Sequence, residues 1–321
     1  MKFYPLEFEP IAKQKIWGGN KLREEFNKDF SQDNIGESWE LSGVEDNVSI
    51  IKNGELKGQD LISVLKIYGA EILGNKILSS YGALPLLFKF IDAADNLSIQ
   101  VHPNDELAKI RHNSFGKTEM YFVASADKDS KLLSGFKEQI SKEKYESLIK
   151  NGDIINVLAS HEAKVGDAFF IPAGRVHALG AGLVVAEIQQ SVDITYRIFD
   201  YKRKDIEGKE RRLDTELALE AINFNLDKEY KTNYTLRENQ AVEVVKCPFF
   251  NVNLISLKGA IKRNLKANDS FIVYMCLDGA GDLASESGKI AIRKGMTILV
   301  PADIADIELI SRYAKLLEIY I

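Results

Sequence analysis

The chain of 321 residues carries 42 Lys and Arg against 47 Asp and Glu, a formal charge of −5, with 45% hydrophobic and 28% charged residues. These proportions belong to a soluble globular protein of about two domains; they exclude disordered, collagenous and membrane-spanning classes and leave no basic footprint for nucleic acid or an anionic membrane. Two cysteines, Cys247 and Cys276, exclude a disulfide framework, and four histidines (His102, His112, His161 and His177) force any metal site to recruit oxygen donors.

The amino-terminal MKFYPLEFEP lacks the basic start and apolar run of a secretory signal, so a cytoplasmic protein is expected. Asp60 predicts a helix cap over Leu61 to Tyr68, where Leu61, Val64, Leu65 and Tyr68 recur at helical spacing, and a second turn pattern covers Glu71 to Ser79. Short runs bounded by Gly, Pro, Asn or Asp predict strands at Leu86 to Ile91, Leu97 to Val101, Met120 to Ala124, Ala168 to Ile171 and Leu183 to Ile188. Ser141 heads a helix that stops at Gly152, and Asp214 is placed to cap TELALEAINF. Further strands are expected at Val242 to Val245, Val252 to Leu257, Phe271 to Leu277, Ile290 to Ile292 and Thr297 to Val300. The class is mainly β, a barrel or sandwich with helical insertions, because so many short strands must each bury one face.

An internal repeat bears on domain count. GDAFFIPA (Gly166 to Ala173) and GMTILVPA (Gly295 to Ala302) align Gly, Pro and Ala at an offset of 129 residues, each with an apolar strand upstream. Five residues beyond the proline the first copy has His177 and the second Asp306, so chemistry is expected in the first copy alone.

The densest chemical signal is LSIQVHPND, Leu97 to Asp105. Residues two apart on a strand share a face, so Gln100 and His102 present an amide oxygen and an imidazole side by side, and Pro103 ends the ladder after them. A polar pair satisfied by hydrogen bonds is the plain alternative. Glu119, at the head of an apolar strand, is costly to bury unless a positive charge compensates it, and His177 follows a Pro-Ala-Gly turn. Together these four supply nitrogen and oxygen donors suited to a divalent transition metal with an open position, zinc first, with manganese, cobalt or iron sharing the donor types. His112 and His161 have no partner in the pattern, Trp17 and Trp39 read as core aromatics, and Lys202 to Arg212 reads as an exposed hairpin around Glu207 and Gly208.

The pattern G-x5-P-x-G-x2-H, met by Gly166, Pro172, Gly174 and His177, resembles the second signature of the cupin superfamily. With IWGGNKL, ESWELS, LSIQVHPND, GKTEMYFV and DITYRIFDY, spread from Ile16 to Tyr201, the chain resembles the type I phosphomannose isomerases in a short form lacking their large helical domain. The resemblance implies two cupin-type barrels, a catalytic metal-binding unit over residues 1–235 and a degenerate copy without ligands over 236–321. It implies one zinc ion per chain on Gln100, His102, Glu119 and His177, with Arg197, Lys117 and Glu187 as catalytic residues and Ser98 and Lys89 as phosphate contacts. The implied reaction interconverts mannose 6-phosphate and fructose 6-phosphate through an enediol(ate). The implied partner is a phosphorylated hexose, with no nucleic acid or membrane, in a monomer or homodimer. A cupin dioxygenase and a non-enzymatic sugar-binding cupin are the alternatives; the first leaves ITYRIF and the lysine beside Glu119 without a role, and the second leaves the complete ligand set without one.

Overall fold

The computed structural model describes residues 2–205, 207–227 and 229–321. The chain opens with β1 (Leu6–Glu7), β2 (Ile11–Gly19), one helical turn α1 (Lys21–Glu24) and the wholly buried strand β3 (Ile35–Leu41). Helices α2 (Leu61–Leu73) and α3 (Asn75–Tyr81) follow, and the Asp60 side chain accepts from the Ser63 amide at 2.8 Å to cap α2. Tyr68 turns out to be a kink and not an end. It leaves helical dihedrals (φ −124°, ψ 27°), yet α2 continues to Leu73 and breaks only at Gly74, whose φ of 93° suits glycine.

Next come β4 (Leu86–Ala93), β5 (Ile99–Val101), α4 (Asp105–His112), β6 (Glu119–Ala126), β7 (Lys131–Phe136), α5 (Lys142–Asn151), β8 (Leu158–Glu162), β9 (Ala168–Ile171), β10 (His177–Leu179), β11 (Leu183–Gln190), β12 (Tyr196–Phe199) and α6 (Thr215–Ala221). They form two antiparallel sheets, one in the order β2-β3-β4-β11-β6-β9 and one in the order β12-β5-β10-β7-β8. Trp17, Ile91, Tyr121, Phe169, Val185 and Leu179 pack together between them. Strand β11 is buried in every residue because both its faces are covered. Leu183, Val185, Glu187 and Gln189 share one face, the one carrying the apolar packing between the sheets; Val184, Ala186 and Ile188 enter the larger core that also takes in α2 and the carboxy-terminal strands. The same alternation puts Glu119 and Tyr121 of β6 and Lys89 and Ile91 of β4 on inward positions.

Ser141 caps α5 through the Lys144 amide, and Gly152 closes it in the left-handed region, as the sequence predicts. Asp214 does not cap α6. Its carboxylate instead takes the Arg197 amide at 3.3 Å and pairs with Arg212 at 3.1 Å, which ties the helix start to β12.

The last stretch, β13 (Ala241–Lys246), β14 (Asn251–Asn264), β15 (Ile272–Ser285), β16 (Gly288–Arg293), β17 (Thr297–Val300) and β18 (Asp306–Tyr320), forms a sheet in the order β1-β17-β15-β18-β14-β13 with β16 on β15. The predicted strands Val252 to Leu257 and Phe271 to Leu277 are the buried halves of longer strands whose other halves alternate into solvent. Strand β1, from the start of the chain, pairs with β17. The two GxxxxxPA segments occupy like places. Strand β9 pairs with β6 so that Ile171 opposes Glu119, while β17 pairs with β15 so that Val300 opposes Ile272. The position of the carboxylate in the first pairing is a buried isoleucine in the second. Both cysteines are free, and among the described residues no helix is long and apolar enough to cross a membrane.

Candidate metal centre and active-site cleft

Strands β5, β6 and β10 bring Gln100, His102, Glu119 and His177 to one point. Gln100 and His177 oppose each other in register across the β5–β10 ladder, and the Gln100 amide nitrogen lies 3.2 Å from His177 Nε2. His102 stands one residue past β5, and Glu119 is the first residue of β6. His177 Nε2 is 2.9 Å and His102 Nε2 3.6 Å from the Glu119 carboxylate, and ligand atoms of these three all lie within 4.8 Å of one another.

Five features of this cluster fit a metal ion. Nδ1 of His102 lies 2.9 Å from the Ile194 carbonyl and Nδ1 of His177 lies 2.9 Å from the Arg175 carbonyl. A carbonyl only accepts, so each Nδ1 carries the proton and each Nε2 turns a lone pair inward. His102 Nε2 and both Glu119 oxygens are buried without a well-directed hydrogen bond, a costly state for polar atoms that a cation would relieve. Burial first, and then the charge of Lys117, push His102 down to about 3, which keeps the imidazole neutral and free to ligate. Burial alone would raise the Glu119 carboxyl, but the charge of Lys117 outweighs it and holds the group well below its ordinary range. Gln100 offers oxygen or nitrogen to the centre by a half-turn of its amide.

Above the cluster opens a cleft of about 280 Å³ walled by Gln100, Lys117, Glu187, Arg197, Ser98 and Lys89, among others. All nine residues singled out in the sequence therefore fall in the cluster or on its cleft. Lys117 Nζ reaches Glu119 at 2.9 Å and Glu187 at 3.7 Å, and these carboxylates raise its ammonium against the pull of burial. Glu187 faces Lys89 in cross-strand register, with 2.9 Å between the charged ends. Burial, with help from Glu119, raises Glu187 in spite of Lys89 and Lys117. Arg197 opposes Gln100 across β12 and β5; its Nη1 donates to the Arg212 carbonyl at 3.0 Å, while its Nε is buried without a partner.

Sequence reasoning passed over several wall residues. Glu37, which Lys89 and Lys15 hold down to about 2 against burial, accepts from the Trp39 indole at 2.7 Å; its signal was a carboxylate inside the buried run IGESWEL. Trp17 belongs to the wall as well as to the core, whereas Trp39 is core alone. Arg211, inside the run read as a solvated hairpin, also lines the cleft. His112 ends α4, with Nε2 2.7 Å from the Tyr196 hydroxyl, and His161, in β8, packs against Phe169 and Tyr230.

A family model described as the phosphomannose isomerase type I catalytic domain matches residues 6–148, and one described as the mannose-6-phosphate isomerase cupin domain matches residues 240–320. The chain is 34% identical over 318 residues to the mannose-6-phosphate isomerase of Streptococcus mutans serotype c, covering 97% of this chain and 98% of that protein. It is 33% identical over 308 residues to the mannose-6-phosphate isomerase ManA of Bacillus subtilis, covering 95% of each. The crystal structure of the mannose 6-phosphate isomerase from Bacillus subtilis superposes with a TM-score of 0.90 at 28% identity, covering 99% of this chain and all of the other. Between the two family matches lies the stretch that carries His177, Glu187, Arg197 and Arg211.

Proposed function

Since the chain belongs to the type I phosphomannose isomerases, we propose that it interconverts mannose 6-phosphate and fructose 6-phosphate as a zinc enzyme, one ion per chain held by Gln100, His102, Glu119 and His177. The observation that carries the reading is the pair of imidazoles whose Nδ1 atoms are tied to carbonyls while both Nε2 atoms converge on a carboxylate left without well-directed hydrogen bonds. When bound, the ion would supply Lewis-acid polarisation of the sugar oxygens.

The remaining chemistry belongs to side chains. Moving a proton between C2 and C1 through an enediol(ate) needs a base, a stabiliser of developing oxyanion charge and an anchor for the phosphate. Glu187 is the carboxylate on the cleft wall that carries the proton, and the Lys89 ammonium at 2.9 Å fixes its orientation. Lys117, held between Glu119 and Glu187, turns its remaining N–H toward the sugar oxygens. Arg197 keeps its charge in the closed site and has an unpartnered Nε to offer. Ser98 supplies a hydroxyl to the phosphate from the open wall, and Lys89 reaches the same anion only by sharing its ammonium with Glu187. Five cationic side chains against three carboxylates on the cleft wall suit a dianionic substrate.

The catalytic unit is assigned to residues 1–235 and the ligand-free copy to 236–321, in a cytoplasmic protein. The test is a coupled assay: purified protein with mannose 6-phosphate, fructose 6-phosphate followed in time, then chelation and zinc restoration. Turnover lost on chelation and regained with zinc supports the reading; a folded, zinc-loaded protein without turnover overturns it.

A further inference from the structure

The cleft ends, on the side away from the imidazoles, at a guanidinium that no part of the proposed chemistry has used. Arg211 lines the wall together with Arg197 and Ser98. It is held from behind by Asp200, a carboxylate 3% exposed, whose Oδ2 accepts from Arg211 Nε at 2.6 Å and whose Oδ1 accepts from its Nη2. Arg203 donates to the same Oδ1 at 2.6 Å and pairs on its other side with the more exposed Asp95 at 3.5 Å, so Arg211 shares its one buried carboxylate with a second guanidinium. Among the described residues Arg211 Nη1 has no hydrogen-bond partner, and Arg197 Nε is buried without one. Arg197 and Arg211 put two guanidinium groups on the wall of one cleft. Such a pair is relieved by an anion that accepts from both, and a phosphate matches the planar fork of arginine.

The strand spacing places this end correctly for the sugar. His102, Gln100 and Ser98 follow one another at two-residue steps of roughly 7 Å along the backbone of β5 and its flanks. Register across β12 sets Arg197 opposite Gln100 and Phe199 opposite Ile99, so the next residues along are Asp200 and Ser98. The order along the cleft is the proposed metal ligands with Arg197 level with Gln100, then Ser98 with Arg211 on Asp200. An open-chain hexose 6-phosphate has the same order, its reacting C1 and C2 separated from the phosphoester oxygen by four carbons.

We propose that Arg211, set in place by Asp200, grips the 6-phosphate with Ser98 and is the residue that selects phosphorylated hexoses. The assignment rests on the isomerase reading and extends it to a residue of the Lys202–Arg212 hairpin. Arg212, whose side chain is 81% exposed and turned to Asp214, is the control on the same hairpin.

The test compares wild type, Arg211→Gln, Arg211→Lys and Arg212→Gln by steady-state kinetics and by calorimetric titration with inorganic phosphate, with thermal unfolding to verify folding. In Arg211→Gln the KM for mannose 6-phosphate rises about ten- to a hundredfold, in proportion to a lost charge-assisted hydrogen bond, and phosphate affinity falls by a like factor. Arg211→Lys keeps a cation beside Asp200 without the fork and falls between, which keeps the test decisive if the glutamine variant fails to fold. Arg212→Gln binds phosphate like wild type. A folded Arg211 variant with wild-type KM and wild-type phosphate affinity overturns the proposal. Phosphate titration needs no turnover, so an Arg211-dependent phosphate site in a protein that isomerises nothing overturns the isomerase reading and leaves the anion site standing.

Discussion

Asp105 and Gln190 meet at 3.0 Å and between them hold both sides of Lys117, one of the cations on the cleft wall. The Gly116 amide donates to Asp105 Oδ1 at 2.7 Å, and the Thr118 amide donates to Gln190 Oε1 at 2.8 Å. The Lys117 amide itself is taken by the Pro103 carbonyl at 3.0 Å. Three consecutive amides are thus anchored to the first turn of α4, the segment before it and the end of β11. Gln190→Leu removes the side-chain acceptor of the Thr118 amide and leaves Asp105 with one partner fewer. Because a displacement of about 1 Å at a reacting group can cost about a hundredfold in rate, kcat/KM is expected to fall ten- to a hundredfold. Zinc content should stay near one ion per chain, since no ligand is touched; steady-state kinetics with metal analysis on the same sample checks both.

His177→Ala removes a donor and should weaken zinc binding by more than about a hundredfold, beyond the loss usual for an outer hydrogen-bond partner of a ligand. Asp306→Ala, at the matching place of the second copy, should leave metal content and turnover unchanged. Among the described residues the Asp306 side chain has one hydrogen bond, accepted at the surface from the Asn264 amide, and the strand position that matches Glu119 is Ile272. Equilibrium dialysis with zinc, run on both variants, decides it; full zinc occupancy in the His177 variant would remove that residue from the ligand set.

The legible part of the site was the part written in local periodicity. Gln100 and His102 stand two apart, and Gln-x-His followed by proline marks a strand that ends as these two side chains reach the buried cluster. The Gly-x5-Pro-x-Gly turn predicts where His177 lands. Helix α4 was missed although its signal was present: Asn104 caps it by accepting from the Leu107 amide at 2.9 Å, with Asp105 and Glu106 in the first turn. The proline read as a strand end hid the helix start directly behind it. Arg211 was illegible for a different reason. It sits in a run of charges that looks solvated, and only the buried Asp200, eleven residues earlier, turns it inward. Likewise the outer half of β14 carries too little apolar periodicity to be read, because it is held by pairing with β18 and not by burial; β18 itself was missed although Ile307 and Leu309 alternate into the core.

Arg197 separates electrostatic from merely cationic help. Its Nη1 is fixed on the Arg212 carbonyl at 3.0 Å while its Nε remains unpartnered, so the planar fork, and not the charge alone, is what the site positions. Arg197→Lys keeps a positive charge but forfeits that geometry, and turnover is expected to drop about a hundredfold, the usual loss when a positioned donor to an oxyanion is removed. Zinc content should be that of wild type. Turnover within twofold of wild type would take Arg197 out of the mechanism.

A carboxyl outside the site governs how stability changes in mild acid. Asp92, at the inner end of β4, accepts from the Lys21 amide at 2.7 Å, yet burial outweighs this and raises its carboxyl to about 6, with Glu25 adding to the effect. A folded-state value above that of the unfolded chain means that the native state binds the proton more tightly between about pH 4 and pH 6. Unfolding free energy therefore falls as pH rises through that window, and the full penalty is present above it. Two pH units correspond to roughly 3 kcal/mol at most, and partial solvent screening reduces the expected effect to about 1–2 kcal/mol. Asp92→Asn retains an oxygen for the Lys21 amide and cannot ionise. Its stability relative to wild type should therefore improve by about 1–2 kcal/mol between pH 4 and pH 7.5. Urea unfolding of both proteins at the two pH values measures the difference directly, and a stability difference that does not change with pH would show that Asp92 ionises in the folded chain as it does in the unfolded one.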